Sequence, residues 1–179
     1  SEAGGYVNDA GYITDWLNEL AFAPIDYRAD APVDEWSGDA GCGVQYFSQQ
    51  AVFRLAQAAH LALDESLTPA EKLKQVQALL EKGEKKARLI FETIGIYLGY
   101  GVAHYADYYD LEHVFVLGRV TSGEAGPIIV DMAKKLLQLE FPALAERIEF
   151  HLPDERFRRL GQAVAAATLP VIQKKGGRE

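Results

Sequence analysis

A single cysteine, Cys42, lies between two glycines in the segment SGDAGCGVQYFSQQA, residues 37–51. A cysteine thiolate can bind zinc, but a structural zinc site takes four ligands drawn from cysteine and histidine. The four histidines lie at no recognisable ligand spacing, so we interpret each as an ordinary helix or strand residue and expect no zinc. They are His60, His104, His113 and His151. The segment is therefore either the remnant of a metal site or a glycine turn ahead of a helix.

Residues 26–39 form a long loop that is rich in carboxylates and interrupted by Pro32. Loops of this length in compact domains are often functional or mobile. Carboxylate oxygens are calcium ligands, but their spacing here does not match an EF-hand. We therefore favour a solvated acidic loop over a calcium site. The carboxylates are those of Asp26, Asp30, Asp34, Glu35 and Asp39.

Three glycines, Gly95, Gly99 and Gly101, lie inside the longest helix that the periodicity predicts, over about 84–109. Each costs about 1 kcal/mol relative to alanine in a helix interior, so each is expected where another backbone comes close. We favour tight helix packing, including packing at a dimer interface, over a ligand contact. The chain contains no glycine-rich loop of the phosphate-binding type.

Composition excludes several classes of protein. A net charge of −8 and a pI near 5.0 argue against nucleic-acid binding, because basic residues cluster only in RFRRL and KKGGRE. One cysteine excludes an internal disulfide and fits a reducing compartment, so we expect a cytoplasmic protein. No apolar run approaches the roughly 18 residues of a membrane-spanning helix. The chain opens with SEAGG and has one methionine, Met132, so we expect it to be a piece of a longer protein.

The sequence predicts an α/β lobe with a largely parallel sheet edge, because strand, helix, strand and helix follow a long helix. The stretch 113–118 is continuously apolar after its first residue, which predicts a strand buried on both faces. The segment 12–20 is ambiguous, and a short helix is one interpretation. The other predicted elements are strands at 4–8 and 147–152, an extended stretch at 21–27, and helices over 44–63, 68–82, 122–140 and 154–169.

This order of elements resembles the C-terminal lobe of the ROK family (repressors, uncharacterised reading frames and sugar kinases), which belongs to the actin-like ATPase superfamily. The resemblance spans Ala3 to about Thr168. It implies an α/β fold of the ribonuclease H-like type, with a mixed sheet packed by long helices. We divide the chain accordingly into a lobe at 1–169 and an exposed tail at 170–179. Within the lobe lie strands and the acidic loop (1–43), helices (44–109) and a strand–helix–strand–helix unit (110–169).

The family hallmark is a cysteine cluster, C-x-C-G-x-x-G-C-x-E, followed by a Y-x-S pair at the head of a helix. Residues 35–44 fall on its ten positions, and the resemblance implies a glycine turn that has lost its metal. The matching residues are Gly38, Gly41, Cys42, Tyr46 and Ser48, and the replaced ones are Glu35, Ser37 and Val44.

An upstream family element, A-G-E-x-G-H, can be aligned with AGGYVN at 3–8. Gly5 then replaces the sugar-binding glutamate, and Asn8 replaces a histidine that binds both zinc and sugar. Asn8 can still donate and accept hydrogen bonds, so the resemblance implies that it contacts substrate. Asn18 and Glu19, in the stretch LNEL, either take over the binding of sugar hydroxyls or cap a helix or loop.

The pair Asn8–Asp9 resembles the Asn-Asp pair that holds the catalytic base of ROK kinases. In the family that pair belongs to the other lobe, with a glycine-rich phosphate segment between it and the cysteine cluster. No such segment separates Asp9 from Cys42. We therefore interpret Asp9 as a turn residue and assign no catalytic residue to this chain.

VFVLGRV, residues 114–120, resembles the family strand that ends in a glycine pair beside the nucleotide. The resemblance makes Gly118 and Arg119 nucleotide-binding candidates. Arg119 occupies the second glycine position, where it either contacts a phosphate or adenine, or blocks the site.

The resemblance implies a dimeric, ATP-dependent sugar kinase of the glucokinase-like type, a transferase of carbohydrate metabolism. ATP and Mg would then bind only together with an N-terminal lobe, and this fragment alone would be inactive. The alternative is a sugar-sensing or dimerisation module of a ROK-type transcriptional regulator or of an inactive kinase homologue.

Overall fold

The computed structural model describes residues 3–7 and 13–153. The predicted closing helix at 154–169, the tail at 170–179, and the residues Asn8 and Asp9 lie outside the described residues.

The first two strands form an antiparallel pair. Strand β1 (Ala3–Val7) pairs with β2 (Ile13–Glu19), with a register irregularity between Gly5 and Val7. The strand predicted at 4–8 is thus confirmed, and the ambiguous segment is a strand rather than a helix. β2 contains isoleucine, threonine and tryptophan, which favour strands. A single 3-10 turn (Leu20–Phe22) then leads into the loop.

The helix predicted over 44–63 is two helices, α1 (Val44–Phe47) and α2 (Gln49–Ala58). Ser48 interrupts them in an extended conformation, with φ −95° and ψ −177°. Its side chain accepts a hydrogen bond from the Gln50 N–H at 3.1 Å, so it caps α2. Hydrophobic spacing could not reveal this break, because the capped serine leaves the periodicity intact.

Helix α3 (Pro69–Glu81) has the boundaries that its sequence signals predict. Thr68 and Glu71 form a reciprocal capping box, and Pro69 occupies the first turn. Gly83 follows the helix with a φ of 81°, a conformation that glycine adopts without steric cost.

The two longest helices of the described residues, α4 (Lys85–Tyr105) and α5 (Ala125–Glu140), pack directly against each other. A Cβ at Gly95 would lie 2.6 Å from the Ile129 carbonyl oxygen, and one at Gly99 would lie 2.7 Å from the Leu136 side chain. A Cβ at Gly101 would likewise clash with the ring of Phe47 in α1. Tight helix packing is therefore confirmed, and the partners of the three glycines belong to the same chain.

Two short strands, β3 (His113–Phe115) and β4 (Glu149–His151), pair in parallel. The chain between them forms a 3-10 turn (Arg119–Thr121), α5 and helix α6 (Pro142–Arg147). The parallel edge is confirmed, but the prediction of a strand buried on both faces is wrong. Val114 packs on the core, whereas His113 and Phe115 are exposed, because the described residues cover only one face of the pair.

Among the residues whose side chains the structure describes, the core consists of two apolar clusters joined by Leu98 of α4. One lies among α2, α3, α4 and the start of α5, with Phe91 at 0% exposure. The other packs the ends of α4 and α5 on β3 and β4. The fold is therefore of mixed α and β type. In the described part, the strands form two separate two-stranded sheets rather than one mixed sheet. No described helix is long and apolar enough to cross a membrane.

Candidate functional site

The glycine turn around Cys42 is closed by backbone hydrogen bonds. The Gly41 carbonyl accepts from the N–H groups of Ile25 (2.9 Å) and Asp26 (3.1 Å), and the Gly41 N–H donates to the Pro32 carbonyl at 2.9 Å. Gly41 has a φ of 67°, and a Cβ there would overlap the Asp26 carbonyl. Only glycine fits this position, so the turn holds its shape through its own backbone.

Cys42 is fully buried beneath this turn. Its thiol lies 3.8 Å from the Asp39 carbonyl oxygen, to which it donates, and burial raises the pKa of the thiol. The thiolate is the form that binds metal or attacks an electrophile, so these surroundings favour a structural role. Among the described residues, Cys42 belongs to no cluster of three or more potential metal ligands. We therefore interpret the segment as a glycine turn, and the absence of zinc here stays a prediction.

Asp34 is the buried centre of the acidic loop, with 2% of its surface exposed. Its carboxylate accepts from the N–H groups of Ser37 (2.9 Å) and Trp36 (3.1 Å) and from Gln45 Nε2 (3.1 Å). These hydrogen bonds, that from Ser37 first, lower the pKa of Asp34. The expectation of a fully solvated acidic loop is wrong at this residue, because loop amides bind the carboxylate and fold the loop around it.

Asp26 connects the other end of the loop to helix α1. Arg28 donates to its carboxylate from Nε and Nη2, at 2.8–3.1 Å, and the Tyr46 hydroxyl donates to the same carboxylate. The paired bonds from Arg28 and the bond from Tyr46 hold the pKa of Asp26 well below its usual range. Burial first, and then the Asp26 bond, raises the pKa of Tyr46 to about 12.

Tyr46 also packs between two side chains of the helical layer. The Arg54 guanidinium lies 4.9 Å from the centre of the Tyr46 ring, within cation–π range, and the Tyr97 ring meets it edge-on at 5.2 Å. Arg54 donates from Nη2 to the Gln45 carbonyl at 2.5 Å. The tyrosine and serine of the Y-x-S pair thus have partners within the chain: Tyr46 binds Asp26 and Ser48 caps α2.

The three sugar-binding candidates lie near the first sheet or outside the described residues. Asn18 pairs with Gly4 and Glu19 with Ala3, at the end of β2 that leads into the loop. Asn8 falls outside the described part of the chain. The backbone thus places Asn18 and Glu19 at the end of β2, ahead of the 3-10 turn and the loop.

Gly118 and Arg119 lie just beyond the carboxyl end of β3. Gly118 has φ 115° and ψ 172°, a region that only glycine adopts readily. A Cβ at this position would meet no atom within 4 Å, so open space faces the glycine. The Gly118 carbonyl accepts from the Thr121 hydroxyl at 2.8 Å, which holds the turn.

Arg119 is exposed at the start of the 3-10 turn. Gln77 of α3 donates from Nε2 to its carbonyl at 2.9 Å, so the backbone of Arg119 is fixed while its guanidinium faces solvent. The nucleotide candidates thus lie together on one turn. The described sugar candidates, Asn18 and Glu19, lie on the other sheet, with no strand pairing between the two sheets in the described residues.

A surface groove of about 370 Å³ lies elsewhere, between α5, α6 and β4. None of the site residues predicted from the sequence lines it. Its polar lining comes from Lys134, Gln138, Glu146, Arg147 and Glu149.

The structure also brings together two histidines that the sequence left as ordinary residues. His113 Nδ1 and His151 Nε2 lie 3.0 Å apart, and Glu149 Oε2 lies 3.8 Å and 3.9 Å from them. The signal in the sequence was alternation: in the predicted strand at 147–152, Glu149 and His151 must share a face. The missing information was the parallel register that places His113 opposite Glu149.

Compared with known proteins, this chain matches no protein-family model and no curated sequence.

Proposed function

We propose that this chain is the C-terminal lobe of a ROK-type, sugar kinase-like protein, and that it contributes walls facing the sugar and the nucleotide. The proposal rests on the sequence resemblance together with one structural observation, the open glycine at the carboxyl end of β3.

In open α/β sheets, ligands bind beyond the carboxyl ends of parallel strands. Gly118 occupies this position, directly after one strand of the parallel pair and before the turn into α5. Its backbone lies in a conformation suited to glycine, with space where a side chain would be. A nucleotide can therefore approach the main chain closely at this point.

Phosphoryl transfer depends mainly on positioning and on electrostatic stabilisation of the transferred group. In this proposal the chain supplies positioning groups alone, while the catalytic base, the phosphate loop and the Mg ligand belong to an N-terminal lobe. The exposed guanidinium of Arg119 is available to a nucleotide phosphate, because Gln77 binds only its carbonyl.

The glycine turn supports the same proposal on the sugar side. Ser48 begins α2, which is where the family pattern places the serine of its Y-x-S pair. The turn keeps its closed shape through the backbone hydrogen bonds of Gly41. Asn18 and Glu19, at the end of β2, precede this loop in the chain. These two side chains are the proposed contacts for sugar hydroxyls.

The alternative function is a sensing or dimerisation module, and a specific surface favours it. Tyr27 of the loop is 73% exposed and Tyr108 beyond α4 is 70% exposed. Both rings contact His104, at 6.2 Å and 5.3 Å between centroids. Adjacent exposed aromatic rings are typical of a protein-binding surface, here for a second copy of the chain.

The experiment is a coupled assay of ADP release by the full-length protein, run with a panel of hexoses, ATP and Mg, with calorimetric titration of each hexose alongside. The kinase proposal predicts ADP release that depends on one class of hexose. The isolated 179-residue chain serves as control and should release none.

Hexose binding without ADP release would replace the kinase with the sensing module. A dimer that binds no hexose, and that dissociates when Tyr27 and Tyr108 are both changed to serine, would leave dimerisation as the function. Sugar phosphorylation by the 179-residue chain alone would contradict the assignment of catalysis to another lobe.

A further inference from the structure

We propose that His113, Glu149 and His151 form a binding site for a divalent transition-metal ion of the zinc type. This site is distinct from the glycine turn at Cys42 and from the nucleotide candidates at Gly118, and it does not depend on the proposed function. It departs from the expectation of no zinc that the spacing of the histidines in the sequence gives.

The first argument is the geometry of the three potential ligand atoms. They are His113 Nδ1, His151 Nε2 and Glu149 Oε2, separated by 3.0, 3.8 and 3.9 Å. A triangle with those sides has its centre about 2.1 Å from each corner, which is the zinc–nitrogen distance in proteins. An ion can thus contact all three atoms with little movement of the strands.

The second argument concerns the carboxylate. A hydrogen bond between the two imidazoles would by itself explain their separation of 3.0 Å. It would not include Glu149, whose carboxylate lies 3.8 Å and 3.9 Å from the two rings, beyond hydrogen-bond length and at the separation of an ion pair with a protonated imidazole. Ligand atoms around a tetrahedral zinc ion lie about 3.4 Å apart, so three atoms at these separations match ligands that share one ion.

The third argument is that rigid elements hold the three side chains. The two strands are fixed in register by the Glu149 N–H, which donates to the Glu112 carbonyl at 2.8 Å, and by the Val116 N–H, which donates to the His151 carbonyl at 2.9 Å. The ring of Phe115 stacks on that of His151, with centroids 4.7 Å apart. Sites on paired strands are held more precisely than sites on loops.

The donor set indicates which ions fit. Two imidazoles and one carboxylate suit zinc and its neighbours in the first transition series, whereas calcium and magnesium take oxygen ligands. The side chains of His113, His151 and Glu149 are 56%, 30% and 66% exposed, so water can reach a bound ion. Three protein ligands and an accessible further position are the arrangement of catalytic rather than structural zinc sites.

The test is a calorimetric titration of Zn²⁺ into the untagged 179-residue chain, repeated with Co²⁺ while the visible absorption is recorded. We expect one Zn²⁺ per chain and a Co²⁺ spectrum typical of four or five ligands. His151→Ala and Glu149→Gln should each weaken binding by about tenfold or more. The control is His60→Asn, which changes an exposed histidine outside the cluster and should leave affinity unchanged.

Circular dichroism of each variant checks that the chain still folds, which we expect because all three side chains are at least partly exposed. Absence of Zn²⁺ binding at about 100 µM would overturn the proposal. Stoichiometric binding that survives the double variant His113→Ala, His151→Ala would also overturn it, because the ion would then occupy another site.

Discussion

The hydroxyl of Tyr46 donates a hydrogen bond to the carboxylate of Asp26, which lies twenty residues earlier in the chain. This bond joins helix α1 to the loop that folds over the glycine turn. Arg28 and Arg54 lie on either side, one paired with the carboxylate and the other over the tyrosine ring. The loop is thus held by charge and hydrogen bonding, and its stability must depend on pH at both extremes.

At acid pH, Asp26 should contribute to unfolding of the chain. Its pKa lies below the usual value of 3.8, so its contribution to stability is complete above about pH 4 and is lost as the pH falls further. Asp26→Asn should lower the melting temperature at pH 7. The melting temperatures of wild type and variant should converge as the pH falls towards 2. Asp30→Asn, at an exposed carboxylate of the same loop, is the control. A difference in melting temperature between Asp26→Asn and wild type that stays the same at every pH would contradict this.

At alkaline pH, Tyr46 should ionise later than an ordinary tyrosine does. Its pKa is raised to about 12, so the folded state holds the phenol proton more tightly than the unfolded state does. The contribution of the Tyr46 phenol to the stability of the folded state is therefore complete below about pH 10, and it is lost as the pH rises towards 12. Tyrosinate absorbance should be measured against pH for wild type and for Tyr46→Phe. The difference between the two curves should show this late ionisation. If the phenol that is present in wild type and absent from Tyr46→Phe titrates near pH 10, the burial of Tyr46 is refuted.

Gly95→Ala should destabilise the chain by up to about 2 kcal/mol. Overpacking lowers the free energy of unfolding by about 1–3 kcal/mol, and the better helix propensity of alanine offsets about 1 kcal/mol of this loss. The new methyl group would meet the Ile129 carbonyl and the Met132 Cβ, both at 2.6 Å, and the backbone cannot rotate away. Gly101→Ala is the comparison, because its methyl group would meet only the ring of Phe47. Urea denaturation should rank Gly95→Ala as the more damaging change, and the reverse order would contradict the packing of α4 on α5.

Thr68→Ala should cost about 1 kcal/mol, because it removes the capping box of α3. Thr93→Ala makes the same chemical change inside α4, where the hydroxyl only donates a hydrogen bond to the Leu89 carbonyl one turn earlier. Alanine has the higher helix propensity, so this control should be neutral or slightly stabilising. Equal losses of unfolding free energy in the two variants would show that the cap does not matter.

Local signals predicted α3 and the packing of α4. Thr68, Pro69 and Glu71 act within one turn, and the cost of Gly95 inside a helix already implies a close neighbour. The break at Ser48 escaped prediction, because a cap that interrupts a helix without a glycine or proline leaves the apolar spacing unchanged.

The candidate site was harder to predict, because its contacts join distant segments. Asp34 is one of five acidic residues in its loop, and nothing in its local sequence distinguishes it from Asp30. Only the fold brings it to Gln45 and buries it. In the same way, alternation places Glu149 beside His151, but the strand register decides that His113 joins them.

The central claim, that the carboxyl end of β3 faces a nucleotide, is tested most directly by titrating ATP with Mg into two variants of the full-length protein. Gly118→Ala and Gly83→Ala each place a methyl group at a positive φ where no atom lies within 4 Å, so neither methyl group clashes with another residue. We predict that Gly118→Ala weakens ATP binding by about tenfold, while Gly83→Ala binds as wild type does. Equal ATP affinity in the two variants would contradict the account.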